Sequence, residues 1–545
     1  MSEFRNSFAE NVFRFKYAQG PGDTWAKLSE RLVEDVCGSR NGTMPILMSN
    51  EDRKQLTQMI KDMKFIPGGR YLYYAGRPFK AYNNCFLLRA EEDTREEWSN
   101  VTWRAMSCLM TGGGIGIDYS RLRPAGKALS RTGGTASGPI PLMSAINEIG
   151  RNVMQGGSRR SAIYASLNWQ HEDIQKFLYI KNWNEDIKAM KIKDFNASAP
   201  LDMTNISVNY DDASMVGGLE NNAVFLQNVR QAMETAEPGF SFNFGAKQNE
   251  TLRNACTEVT SEDDSDVCNL GSINMGRIIN LEEFKQVVEL GSKFLVCGTL
   301  RADLPYDKVY KVREKNRRLG LGLMGIHEWL LKKGYKYEVS PELHKWLSVY
   351  RDESKRAADE HCDRFFISRP VAYRAIAPTG SIGILAGTTT GIEPLFAVAY
   401  KRRFLTEGTK WKYQYVVDGT ANLLIQQYGV KPDAIESALD LSENYEQRIK
   451  FQADIQDYVD MSISSTINLP SWGTKHNNEN EVKTFANTLA KYAPRLRGFT
   501  CYPDGSRGGQ PLTAVPYEEA LKHKDVVYEE LDICDISGKG GSCGV

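Results

Sequence analysis

Short apolar runs bounded by glycine and proline alternate, through the middle of this chain, with stretches whose apolar residues recur at helical spacing. That alternation restricts the fold more than any other feature, because it predicts strands and helices packed in layers, an α/β architecture. Tyr82 to Leu88 reads as a turn feeding a buried strand, with Cys85 at the strand's start. Residues 206–208 read as a short strand, while 140–153, 221–235 and 281–294 are amphipathic with helical spacing. Residues 7–64 form a helical lead-in that Phe65-Ile66-Pro67-Gly68-Gly69 interrupts. Near the end, 456–465 reads as a helix closed by Thr466 to Pro470, and 498–507 as a strand running into a turn. No internal repeat stands out, and 545 residues suffice for one large catalytic body with appendages.

The charge balance removes several function classes. With 68 basic and 68 acidic residues, no global field favours nucleic acid or an anionic membrane, so an anionic ligand needs a local site. No apolar run approaches the roughly 18 residues that span a bilayer. The first residues lack the apolar core of a secretory signal, which predicts a reducing, cytoplasmic setting in which ten cysteines do not form a structural disulfide framework. No two cysteines are spaced C-x-x-C, so neither a zinc ribbon nor a thioredoxin-type motif is expected and no metal ligand set is assigned. Cys108, Cys297 and Cys362 sit in helix-like runs and read as small core residues.

The chemistry concentrates in Arg253-Asn254-Ala255-Cys256-Thr257-Glu258 and, shortly after, Cys268-Asn269-Leu270-Gly271-Ser272-Ile273-Asn274. If the first run is extended, Asn254, Cys256 and Glu258 share a face, so an amide, a thiol and a carboxyl project together. By itself that spacing also fits a polar loop with an incidental cysteine. Thr111 to Arg123 is glycine-rich, then strand-like, then basic, and lacks the lysine of a P-loop. Glycines there serve either close ligand approach or tight packing. Two glycine loops, 131–139 and 155–161, flank a helix and suit an anionic or nucleotide ligand. Pro378-Thr379-Gly380-Ser381-Ile382 offers hydroxyls and unencumbered amides, which suit phosphate oxygens without carrying charge. The last residues, with Cys534 and Cys543, are glycine-rich, and two thiols on such a tether can visit other sites.

Taken in order, Tyr82-Asn83-Asn84-Cys85, the glycine loops, Asn254 to Glu258, Cys268 to Asn274, Asn316-Arg317-Arg318-Leu319-Gly320 and Pro378 to Ser381 resemble the catalytic subunit of ribonucleotide reductase. The resemblance implies a ten-stranded α/β barrel at 76–510 with a central finger loop, a small helical region at 1–75, and a flexible tail at 511–545. It implies that Cys256 carries a thiyl radical, that Glu258 is the general base on the ribose 3′-hydroxyl, and that Asn254 orients the sugar. Cys85 and Cys268 resemble the dithiol that supplies two electrons. Asn84 and the loop Pro378, Thr379, Gly380, Ser381 and Ile382 would bind substrate. The loops around 131–161, with Asp118 and Arg159, resemble a specificity site for a deoxynucleotide or ATP effector at a homodimer interface. Cys534 and Cys543 are similar in role to shuttle cysteines re-reduced by a thioredoxin or glutaredoxin-type protein, although their separation is wide for the family. The short N-terminus leaves no room for an ATP-cone domain, so no shutdown by dATP through such a domain is expected.

The radical source divides the family. Members served by a separate metallo-subunit usually carry adjacent tyrosines where this chain has Cys501-Tyr502, with Tyr502 the remaining relay candidate. The run from Thr500 to Arg507 looks more like the adenosylcobalamin-dependent form, and adenosylcobalamin is the expected cofactor. A class I large subunit activated by a small radical-generating subunit is the alternative. A thiol-disulfide oxidoreductase would not need Glu258, Asn254 or the phosphate-type loop, and a non-catalytic nucleotide-binding protein would not need the radical cysteine.

Overall fold

The computed structural model describes residues 3–39, 42, 44–153, 161–194, 197–406, 410–506, 512–523 and 526–529. In chain order the strands are β1 (Phe65–Pro67), β2 (Cys85–Arg89), β3 (Gly114–Asp118), β4 (Ile163–Asn168), β5 (Thr204–Asp211), β6 (Gly239–Asn243), β7 (Leu252–Arg253) and β8 (Thr260–Ser261). They continue as β9 (Asp266–Asn274), β10 (Leu319–Met324), β11 (Ala399–Thr406), β12 (Lys410–Val417), β13 (Thr466–Leu469), β14 (Gly498–Pro503), β15 (Leu512–Ala514) and β16 (Val527–Glu529).

A ten-stranded sheet organises the molecule. Strands β2 to β6 lie side by side and parallel. On the other side β9 pairs parallel with β10, and β13 parallel with β14. Between β10 and β13 the ladder continues through the extended segment 372–376, which bridges Leu321 at Arg374 and Ile463 at Ile376. Backbone bonds from Leu319 to Ala372, from Ala375 to Leu321 and from Ile376 to Ser462 carry it across. The wall therefore closes as two parallel halves, joined by antiparallel seams at β2/β9 and β6/β14. The short β1 adds to β9 outside this ring.

The sequence dictates which faces these strands bury. Strands β2, β3, β6, β9 and β10 are buried at every residue, as expected of strands covered on both faces. The outer face packs against amphipathic helices such as Leu281–Arg301 and Pro341–Arg364, whose apolar residues join one continuous core. Inside the barrel a separate cluster unites Cys85, Leu87, Leu252, Val259, Cys268, Leu270, Ala372, Ala375, Ala377 and Met461. The β7/β8 hairpin fills this interior, and three of the wall residues facing it are alanine.

Several expectations need correction. Residues 457–465 are not helical: the helix is Tyr445–Gln456, and 461–464 run beside 374–376 and bond to it, a long-range ladder that local periodicity does not reveal. The lead-in 1–75 includes β1, so it shares the barrel sheet. The stretch expected as a flexible tail, 511–545, contributes β15 and β16, which add to the β11/β12 hairpin in a four-stranded sheet, and the helix Tyr517–Lys522 between them.

The glycines of β3 are explained by the hairpin. A Cβ on Gly116 would lie 1.8 Å from the Arg253 carbonyl oxygen, and one on Gly114 would lie 3.1 Å from the Ala255 Cβ. Because the obstacle at Gly116 is backbone, Gly116→Ala is expected to displace the hairpin and cost about 1–3 kcal/mol, read as a lowered urea midpoint together with lost activity.

Candidate active site

The hairpin tip is a turn, not an extended strand. β7 and β8 pair only at Leu252 with Ser261 and Arg253 with Thr260, and Thr257 at the tip has φ 69°. Asn254 closes the turn: its Oδ1 accepts the Val259 N–H at 2.9 Å and its backbone carbonyl accepts the Thr257 N–H at 3.0 Å. The extended run with a common face of Asn254, Cys256 and Glu258 is therefore not what forms: the chain curls around the Asn254 amide, and of the three only Cys256 and Glu258 line the cavity at the tip.

The base of the hairpin is fixed by buried charge. Arg253 donates from Nη2 to Asn243 Oδ1 at 2.8 Å and to the carbonyls of Phe242 and Arg497. Burial lowers its pKa to about 9, with Arg497 adding to the effect. Burial also opposes ionisation of Glu250, but Arg497 and Arg318 outweigh it and hold the carboxyl at about 2. Asp118, expected to touch an effector, is buried at the end of β3 instead. It accepts hydrogen bonds from Ser120, Ser166, Asn209 and, at 2.9 Å, the Thr251 hydroxyl just before β7. A carboxylate saturated in this way anchors the hairpin rather than facing a ligand.

At the tip, a cavity of ≈ 140 Å³ is lined by Asn84, Cys85, Ala255, Cys256, Glu258, Pro378, Thr379, Gly380, Ser381 and Ile382, together with Tyr17, Gly68, Gly69, Gly114, Ala162, Leu270, Gly271, Ser272 and Ala377. Cys256 is exposed, whereas the other described cysteines are buried. Glu258 is 1% exposed, and its Oε2 has no hydrogen-bond partner among the described residues. Burial pushes its carboxyl up to about 7, against the contrary pull of Asn254. A carboxyl poised near neutrality in a cavity suits general base chemistry. The Asn84 Oδ1 is likewise buried without a partner.

Cys85 and Cys268 face each other across the β2/β9 seam, as directly paired residues of an antiparallel ladder. Directly opposed residues of such a ladder have Cα atoms about 4.5–5.5 Å apart, inside the range a disulfide spans. Asn254 Nδ2 donates to Cys85 Sγ at 2.8 Å, tying this thiol to the hairpin tip. Cys85 lines the cavity and Cys268 lies behind it, in room that Gly320 leaves: a Cβ there would be 2.9 Å from Cys268 Sγ. Burial pushes both thiols well up, and the Glu258 charge adds to it, so both carry their protons at neutral pH.

Among 378–382, Thr379 is left-handed at φ 50° and accepts the Gly391 N–H on its Oγ1 at 2.8 Å, which fixes the loop at the cavity's edge. Tyr502, half-buried on β14, pairs in register with Asn468 and does not line the cavity; its neighbour Cys501 is buried. Arg159, Cys534 and Cys543 lie outside the described residues. Tyr17, Gly68, Gly69 and Ser272 were not singled out as site residues. The paired glycine was a visible signal, whereas Tyr17 reaches the cavity only through long-range packing.

An exposed thiol, a buried carboxyl and one member of a cross-strand thiol pair meet around one cavity inside a parallel-halved barrel, an arrangement suited to thiol-dependent redox chemistry. The family model described as "Ribonucleotide reductase, barrel domain" matches residues 83–206, 208–347 and 369–493, well over half of the chain. The chain therefore belongs to the ribonucleotide reductase family, enzymes that reduce ribonucleotides to deoxyribonucleotides. It is similar to the vitamin B12-dependent ribonucleoside-diphosphate reductase of Mycobacterium tuberculosis (strain CDC 1551 / Oshkosh), with 24% identity over 95% of this chain and 82% of that one. The enzyme of the same name from Thermoplasma acidophilum is 26% identical over 87% of this chain and 68% of its own. A crystal structure of a B12-dependent (class II) ribonucleotide reductase superposes with a TM-score of 0.71 at 16% identity, covering 94% of this chain and 93% of that one, which supports the fold. Among the described residues, no helix is long and apolar enough to cross a membrane.

Proposed function

We propose that this chain reduces ribonucleoside diphosphates through a thiyl radical on Cys256, with adenosylcobalamin as the radical source and Cys85 and Cys268 as the reductant. The observation that carries this reading is the shared cavity: Cys256 and Glu258 at one hairpin tip, with Cys85 beside them and paired in register with Cys268. The diphosphate preference follows the names of the similar enzymes from Mycobacterium tuberculosis and Thermoplasma acidophilum.

The Cys256 radical takes the ribose 3′-hydrogen, forming an S–H bond and leaving an unpaired electron on C3′. Glu258 accepts the 3′-hydroxyl proton, for which its free Oε2 and near-neutral carboxyl are suited. The 2′-hydroxyl leaves as water, taking a proton from Cys85, the protonated thiol that faces the cavity. The remaining thiol hydrogen of the Cys85–Cys268 pair goes to C2′ with one electron, the second electron and the proton held on Glu258 restore the 3′-hydroxyl as the pair becomes a disulfide, and the 3′-hydrogen returns from Cys256, which regenerates its radical. Asn254 holds the tip in place, and 378–382 takes the phosphates.

Adenosylcobalamin, when bound, supplies the removal of a hydrogen atom from a thiol. The residues present fit such a group: Cys256 is exposed, and Ala162 and Gly380 flank the same cavity with little bulk, a Cβ on Gly380 meeting nothing within 4 Å. The buried Cys501, where a paired tyrosine relay would stand, also favours direct access to Cys256. Re-reduction by Cys534 and Cys543 with a thioredoxin-type donor, a homodimer, and an effector bound near the 131–139 loop and Arg159 complete the proposal.

The test is reduction of ribonucleoside di- and triphosphates with a dithiol, run with adenosylcobalamin and separately with a metallo-subunit. Turnover with adenosylcobalamin alone, together with a Cys85–Cys268 cross-linked peptide from enzyme stopped after one turnover without dithiol, is the expected result. Turnover only with the metallo-subunit overturns the radical source, and a different cross-link overturns the dithiol.

A further inference from the structure

The substrate cavity contains no lysine or arginine among the residues that line it, yet it contains the carboxyl of Glu258. A nucleoside polyphosphate brings several negative charges, and the loop 378–382 offers them hydroxyls and amides but no cation. A cation reaches that loop from the other end of the chain. Helix Ser7–Lys16 packs against the short helix Gly380–Ala386, and its last residue, Lys16, donates from Nζ to Ser381 Oγ at 3.1 Å. Tyr17, the next residue, forms part of the cavity wall.

This placement is enforced from the far end of the helix. Arg5 donates from Nη1 and Nη2 to the two oxygens of Glu328 at 2.9 and 2.8 Å, and from Nη1 to the Gly387 carbonyl at 2.7 Å. The Glu328 side chain is fully buried, and although burial opposes its ionisation, Arg5 and Lys332 outweigh it and hold the carboxyl at about 2. Phe8 is covered by the Arg402 guanidinium, 4.3 Å from the ring centroid. A buried two-pronged ion pair with Glu328, a bond to the Gly387 carbonyl that ends helix Gly380–Ala386, and a stacked ring thus fix the helix beside the element that carries the phosphate loop.

We propose that Lys16 is a substrate-binding residue whose ammonium takes the terminal phosphate of the nucleotide held by 378–382, and so sets the preference for phosphate number. The inference rests on the reading of that loop as the phosphate site. An ammonium has three N–H donors, so Lys16 can keep Ser381 and still donate to a phosphate oxygen. Its position fits the distal phosphate: Lys16 is exposed, as are the cavity-lining Pro378 and Gly380 beside it, whereas Glu258, which lines the same cavity, is buried.

The test compares wild type, Lys16→Gln and Lys16→Arg for binding of ribonucleoside mono-, di- and triphosphates by calorimetry, at low and high salt, with KM and kcat measured alongside. Lys16→Gln is expected to weaken binding of the preferred polyphosphate and to raise its KM by about 10- to 100-fold, as for a hydrogen bond to a charged group. The monophosphate is expected to bind equally to both, the difference to shrink at high salt, competition by inorganic pyrophosphate to weaken in parallel, and Lys16→Arg to recover most of the affinity. Unchanged affinities, or one equal loss for all three nucleotides, would instead make Lys16 a tether of the helix and overturn the proposal. Calorimetry decides this without turnover, so absence of nucleotide reduction in the wild type would count against the proposed reaction alone.

Discussion

Cys256→Ser is expected to abolish deoxyribonucleotide formation, in a single turnover of pre-reduced enzyme as well as in steady state. The step assigned to Cys256 requires a side chain that gives up and takes back a hydrogen atom, and a serine O–H bond is too strong to do so. The substitution leaves the bonds that shape the tip, Asn254 to Val259 and Ser462 to the Glu258 carbonyl at 2.8 Å, so the cavity and nucleotide binding are expected to persist. The measurement is chromatographic detection of deoxynucleotide from stoichiometric enzyme, paired with a nucleotide binding constant. Product above background from the variant, or lost binding without product, contradicts the assignment.

Glu258→Gln is expected to lower kcat/KM by about 10²- to 10⁴-fold, the range for removing a positioned general base. Because the carboxyl must be ionised to act and burial places it at about 7, wild-type activity rises with pH through about 7 and levels above it. The variant should lose that limb. The same burial has a stability consequence of opposite sign. The folded-state value lies above the ordinary 4.5, so between roughly pH 4.5 and 7 the native state binds more protons than the unfolded chain. Stability therefore falls as pH rises through that window, by on the order of 3 kcal/mol in all, and the penalty stays fully present at higher pH. Glu258→Gln removes it: the variant should melt above wild type at pH 8 and match it at pH 4. Equal melting at both pH values, or an acid limb retained in the variant, would assign the limb to another group.

The sequence made the chemistry more legible than its architecture. The residues at 256 and 258, the strand beginning at Cys85 and the hydroxyl loop at 378–382 all lie in short local patterns, and the structure brings them to one cavity, with Asn254 bonded to Cys85 behind it. The local conformation of the tip was less legible, since a left-handed Thr257 and an amide folding back on Val259 leave no periodic trace. The glycines of β3 admitted two explanations, ligand approach or packing, and only the neighbouring hairpin decides for packing at Gly116. Asp118 was assigned to an effector only through the resemblance to a specificity site, and its partners prove to be Thr251, Ser166 and Asn209. The segment 372–376 is a barrel stave with no strand-like pattern, because its neighbours are joined by isolated bridges. Lys16 and Tyr17 were invisible in the same way, lying more than 350 positions from the loop they meet.

The β2/β9 seam has a consequence for the enzyme's cycle. The two halves of the barrel meet there without a covalent link, and Cys85 and Cys268 sit opposite each other on that line. Oxidation in turnover would therefore stitch one half to the other and close a loop of about 180 residues. In the chain-entropy picture such a stitch stabilises the fold by about 5 kcal/mol. The enzyme would thus be most tightly bound together when it is spent and loosest when ready to react, so that its reductant reopens that loop as it restores the electrons.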